Sequence, residues 1–165
     1  MLKPFKFMLL FLSLLLLQGC TYNFSPRYFH FEENESKNYY YNQIKEKLSN
    51  GEKYTLQVFD TNIYKYFSVD EEDTIVLKNF IDSLDNSNFL EEETDDFKSK
   101  EKFKLIINFN DSNEGENKYI FKIYNKTFAK LYPFDGRINE DIISMDNLPI
   151  HYNLYDFCSY IQNKK

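Results

Sequence analysis

The chain has 165 residues, 42% of them hydrophobic and 19% aromatic, with 20 Lys and Arg against 26 Asp and Glu. So much apolar material excludes a disordered chain, and the length suits one domain behind a leader better than two domains. The net charge of −6 argues against nucleic acid, whose binding depends on neutralising phosphates.

At the start of the chain, Lys3 and Lys6 precede eleven almost unbroken apolar residues, Phe7 to Leu17, followed by Gln18, Gly19 and Cys20. A positive region, an apolar run and a small-residue cleavage approach make a secretory signal. Eleven apolar residues fall short of the roughly 20 that cross a bilayer. The stretch Leu17-Gln18-Gly19-Cys20 resembles the lipobox of bacterial lipoproteins: an aliphatic residue, two mostly small ones and an invariant cysteine. The resemblance implies that residues 1–19 are a signal peptide removed before Cys20. Cys20 then carries a diacylglycerol thioether and palmitate-like acyl chains on the extracytoplasmic face of the cell membrane. At about 0.8 kcal/mol per buried methylene, two or three such chains hold a protein on the membrane. Without the leader 18 basic residues face 26 acidic ones, a net charge of −8, and an anionic leaflet repels such a domain.

Residues 20–37 read as a lipidated tether that contains Pro26 and an acidic patch, and residues 21–36 of it could reach about 50 Å when extended. Their aromatics, Tyr22, Phe24, Tyr28, Phe29 and Phe31, leave two readings open: an arm packed on the domain, or side chains at headgroup level.

Residues 38–165 read as one α+β domain. Tyr40, Tyr41, Ile44 and Leu48 recur at helical spacing before Gly51. Around the turn Asp60-Thr61-Asn62, "KYTLQVFD" and "NIYKYFSV" alternate as two strands. Asp70 is placed to cap a helix over residues 71–84, with Val76, Leu77, Phe80 and Leu84 as its buried stripe and Asn86-Ser87-Asn88 closing it. The acidic connection that follows, from Asn88, begins as a strand. Phe103, Leu105, Ile107 and Phe109 then share one strand face. A polar hairpin loop, Asp111 to Asn117, leads to "KYIFKIYN", and Asn125-Lys126 turns the chain into "KTFAKLYP". After Pro133 the chain reads as loop, and the last helix buries Leu154, Phe157, Cys158 and Ile161, with Lys164 and Lys165 at its negative end. The order of elements predicts an antiparallel sheet with helices packed on one face.

Few residues carry chemistry. With Cys20 consumed by lipid, Cys158 has no disulfide partner and reads as a small buried hydrophobe. His30 and His151 are the only histidines, too few for a zinc site built from His and Cys. His151 with Asp146 or Asp156 and Ser144 or Ser159 is the one conceivable triad, without a G-x-S-x-G elbow to support it. The acidic run Glu91 to Asp96 could offer oxygen ligands to calcium but reads as a solvated turn, as does the loop around Gly115, which lacks calcium-loop spacing. The four glycines build no phosphate cradle, so no cofactor, metal or catalytic residue is assigned. The tyrosines at 39 to 41 and elsewhere are candidates for a sugar- or peptide-binding platform.

Codon-driven skew accounts for part of this composition. There are only two arginines, Arg27 and Arg137, one alanine, Ala129, and no Trp, while Tyr, Phe, Asn and Ile abound. The skew points to a low-GC bacterium, and the layout behind the lipobox resembles small lipoproteins of unknown function from low-GC Gram-positive bacteria. The resemblance implies a fold class and no chemistry. The reading is therefore a non-enzymatic binding or interaction module, held to the membrane through Cys20, with an envelope protein or polysaccharide as partner. A cell-envelope hydrolase or degenerate enzyme is the alternative, and a structural accessory of a larger envelope complex the third.

Overall fold

The computed structural model describes residues 36–92, 100–109, 117–134 and 139–164. In chain order the elements are α1 (Tyr39–Ser49), β1 (Tyr54–Asp60), β2 (Lys65–Ser68), α2 (Ile75–Ser83), β3 (Phe89–Leu90), β4 (Phe103–Phe109), β5 (Lys118–Ile123), β6 (Phe128–Pro133), β7 (Asp141–Ser144) and α3 (Leu154–Lys164). The strands form one antiparallel sheet in the order β2-β1-β4-β5-β6-β7-β3.

Because strand side chains alternate, register decides which residues share a face. One row runs through Phe67, Val58, Leu105, Phe121, Leu131 and Asp141. All six are buried. The three helices pack on that face. Phe80 of α2 meets Phe121 edge-on at 5.5 Å, Tyr41 of α1 meets Phe89 at 4.8 Å, and Tyr155 of α3 meets Phe103 at 5.5 Å. Aromatic pairs of this kind contribute about 0.5–1.5 kcal/mol each beyond the area they bury. The expected α+β architecture, with helices on one face of an antiparallel sheet, is the one present.

On the opposite face Lys104, Lys122 and Lys130 stand directly across from one another on β4, β5 and β6. Like charges so placed repel. Glu101 offsets Lys104 at 3.3 Å, and Glu140 bridges Lys122 at 2.5 Å and Lys130 at 3.1 Å. The Tyr132 ring lies 4.3 Å from the Lys122 ammonium. Burial, with Glu140 and Glu101 nearby, pushes its phenol up to about 12.

The sequence reading needs three corrections. Asp70 does not cap a long helix: it precedes a 3-10 turn, Glu71–Asp73, its side chain makes no cap bond, and the α-helix runs only over Ile75–Ser83. A charge-assisted contact is stronger than a neutral one, and the Asp70 carboxylate instead meets Lys164 Nζ at 3.0 Å. The segment after Pro133, read as loop, contains β7, whose four residues become a strand because β6 and β3 pair on either side. The Asn86–Asn88 stretch forms a 3-10 turn with its own capping box from Asp85.

Candidate functional site

Among the described residues, the chemistry-bearing side chains singled out in the sequence do not assemble into a site. Cys158 is fully buried, and burial pushes its thiol far above the ordinary range. His151 is exposed and packs edge-on against Tyr152 at 4.4 Å. Asp146 accepts from Ser144, Asp156 pairs with Lys126, and Ser159 donates to the Tyr155 carbonyl. No triad forms from these partners. Tyr40 and Tyr41 lie in the core, so the 39–41 cluster presents no platform. Cys20, His30, the tether aromatics, residues 93–96 of the acidic run and the calcium-like loop with Gly115 lie outside the described residues.

Asp70, Glu72 and Asp73 bring carboxylate oxygens within 4.8 Å of one another, an arrangement able to hold a cation. The ammonium of Lys164 meets all three, at 3.0, 3.6 and 2.8 Å. Its pKa is raised, first by hydrogen bonds to Asp73 and Asp70. The cluster thus fastens the end of α3 beside the start of α2.

The surface feature with a built geometry is the β1–β2 hairpin. Asp60, at the end of β1, is fully buried. Its Oδ1 accepts from the main-chain N–H groups of Asn62 and Ile63 at 2.7 and 3.2 Å. Its Oδ2 accepts from Lys102 at 3.3 Å and from Gln162 at 2.8 Å. Burial pushes this carboxyl up, but the two N–H groups and the Lys102 charge outweigh it and leave it below the ordinary range. Thr61 Oγ1 adds bonds to the Glu101 and Lys102 carbonyls. The turn is therefore bolted to β4 and α3.

Beyond that anchor, Asn62, Ile63, Tyr64, Lys65 and Tyr66 are five consecutive exposed residues. Ile63, Tyr64 and Tyr66 are 55%, 72% and 57% exposed. Phe59 ties the group together, with ring contacts to Tyr66 at 4.5 Å and Tyr64 at 6.1 Å. Lys100 stands 5.3 Å from the Tyr64 ring, and Lys65 4.9 Å from that of Phe67. Tyr64 holds φ at 53°, a left-handed backbone that costs a side-chain-bearing residue about 1–2 kcal/mol.

Strand β2 is also one edge of the sheet. Val69 N–H donates to the Leu56 carbonyl at 3.1 Å. Antiparallel pairs alternate between bonded and non-bonded, so Lys65 and Phe67 turn their main-chain groups toward β1 and Tyr66 turns its own outward. The sequence showed the two strands but placed the turn at Asp60-Thr61-Asn62 and ran the second strand from Asn62; Asp60 instead ends β1, residues 61–64 make the turn and β2 begins at Lys65. The sequence held no sign that this one stretch of aromatics, among many, stays in solvent, because that depends on β2 having no outer neighbour among the described strands.

Residues 34–158 match the family model "Domain of unknown function (DUF4883)". A solved structure described as "Putative Lipoprotein from Clostridium perfringens" superposes with a TM-score of 0.68 at 30% identity, covering 79% of this chain and 99% of that one. Among curated proteins nothing matches. No helix among the described residues is long and apolar enough to cross a membrane. The chain belongs to the family described as Domain of unknown function (DUF4883).

Proposed function

We propose that this protein is a lipid-anchored lipoprotein on the extracytoplasmic face of the cell membrane, acting as a non-enzymatic contact module. Two things support the anchored part: the resemblance of Leu17 to Cys20 to a lipobox, and a 30% identical solved structure described as "Putative Lipoprotein". One observation carries the contact part. Exposed Ile63, Tyr64 and Tyr66 gather on a single hairpin that Asp60 holds in place. A monomer has no need to keep adjoining large apolar side chains in water, and such patches mark interaction surfaces.

The test is chemical and positional. The full chain, expressed in a low-GC Gram-positive host fed an alkyne fatty acid, should carry label at Cys20 and sediment with membranes. Cys20→Ser should lose the label and leave the membrane fraction. An unlabelled wild-type chain, or a Cys20→Ser chain that stays membrane-bound, overturns the anchored reading. A reproducible turnover of any envelope substrate, lost on changing His151 or Ser144, overturns the non-enzymatic one.

A further inference from the structure

We infer that the β1–β2 hairpin is a membrane-docking tip: it sets Ile63, Tyr64 and Tyr66 into the headgroup region of the bilayer that anchors the chain. This rests on the lipid-anchored reading and names the occupant of the contact surface described above.

The shape of the tip separates this occupant from others. A small ligand or a glycan end is usually held in a concave site, and five consecutive exposed residues make a projection instead. An apolar side chain, two tyrosines and flanking lysines are the composition favoured at a membrane interface, where the phenol stays wet while its ring is buried. Lysines nearby add attraction to anionic headgroups.

Charge is also distributed in the direction docking requires. Exposed Lys65 lies on β2, and exposed Lys100 stands beside the Tyr64 ring. At the opposite edge, β3 runs straight into exposed Glu91 and Glu92. Of the four acidic residues that follow β2, Asp70 to Asp73, three are engaged by Lys164, and Glu71 is exposed. An anionic leaflet repels Glu91 and Glu92, while Lys65 and Lys100 at the hairpin are drawn to it.

Reach allows it. Seven strands are about 29 Å across at roughly 4.8 Å per spacing. Residue 36 leads into α1, which packs beside β6 and β7. The 15 residues between Cys20 and residue 36 extend to about 50 Å. An anchor attached on that side still lets the β2 edge touch the bilayer.

The absence of Trp from the chain gives a clean test. Acylated full-length protein carrying Tyr64→Trp is reconstituted into phosphatidylglycerol/phosphatidylcholine vesicles with and without nitroxide-labelled acyl chains. Tyr66→Trp is a second reporter, and Tyr160→Trp, at an exposed position of α3, is the comparison. We expect labelled lipid to quench the indole at position 64 or 66 about twofold while sparing the one at position 160. Adding Lys65→Glu and Lys100→Glu should cut that quenching. Quenching at positions 64 and 66 no greater than at 160 overturns the inference, as it would if a protein or polysaccharide covered the tip. Flotation with the vesicles is read in the same samples. Tyr64→Trp protein that floats with its indole unquenched defeats docking alone, and protein that does not float defeats the anchored reading and docking with it.

Discussion

The carboxylate of Asp141 and the main-chain N–H of Tyr41 meet at 2.7 Å, joining β7 to the first turn of α1 across 100 residues of sequence. A helix leaves its first N–H groups without partners inside the helix, and Asn38, at the N-cap, supplies no side-chain bond. Asp141 does so from another element. It is buried, and its other oxygen, Oδ1, finds no hydrogen-bond partner among the described residues. Burial pushes the carboxyl up to about 7, against the pull of the Tyr41, Tyr40 and Tyr39 N–H groups.

The resulting pH dependence has a definite sign. Between the unfolded value near 4 and the folded value near 7, the native state holds the proton and the unfolded state does not. Stability from this group is therefore fully present below pH 4, falls as pH rises by at most about 1.4 kcal/mol per unit, and levels off above pH 7. Asp141→Asn keeps an acceptor without the charge, so it should flatten that slope and match or exceed wild-type stability at pH 8. Urea titrations of both chains from pH 4 to 8 check this, and parallel curves would contradict it.

Asp60 makes the opposite prediction. Its folded value is lowered, so its contribution is present above the unfolded value and is lost as pH falls through the folded one. Asp60→Asn should therefore narrow the gap to wild type in acid. At pH 7 it should cost about 1.5–3 kcal/mol, as expected for a lost hydrogen bond to a charged group. Because Asp60 orders the turn, amide exchange at Asn62 and Ile63 should rise in this variant.

Cys158 should be inert in the folded protein. It lies fully buried on α3 with its thiol pushed upward, and the thiolate is the reactive form. A thiol reagent should modify it no faster than the protein opens, and promptly in concentrated guanidinium. Rapid labelling of native protein would refute this.

The strained tyrosine and its neighbour should respond differently to glycine. Tyr64→Gly relieves a left-handed backbone while losing ring contacts, so stability should shift by no more than about 1 kcal/mol. Tyr66→Gly, at an extended position paired with Phe59, loses both strand propensity and a cross-strand aromatic pair and should cost more, about 1–2 kcal/mol. Thermal melts of the two variants give the order directly.

Much of this fold is legible in the residues because it is local. The Phe103-Leu105-Ile107-Phe109 alternation, the Leu154-Phe157-Cys158-Ile161 stripe and the Asn125 turn, whose side chain accepts from Thr127 and Phe128 N–H, all depend on near neighbours. What escaped depends on partners far along the chain. Asp70 satisfies every local rule for a cap, and Lys164, more than ninety residues on, claims it. β7 is too short to announce itself without β6 and β3. The exposed hairpin tip escaped for a related reason: its tyrosines resemble the buried ones in composition, and only the sheet order places β2 at an edge.

That order also divides the labour between the two halves of the chain. The first half supplies both outer strands, β2 and β3, and the second half supplies the four between β1 and β3. β1 pairs with β4 and β3 with β7, so the described residues up to 92 hold one hairpin, β1–β2, and two α-helices but no sheet to close around. A stable domain can therefore close only once both β4 and β7 are present, and a chain cut anywhere before Asp141 leaves β3 without its partner.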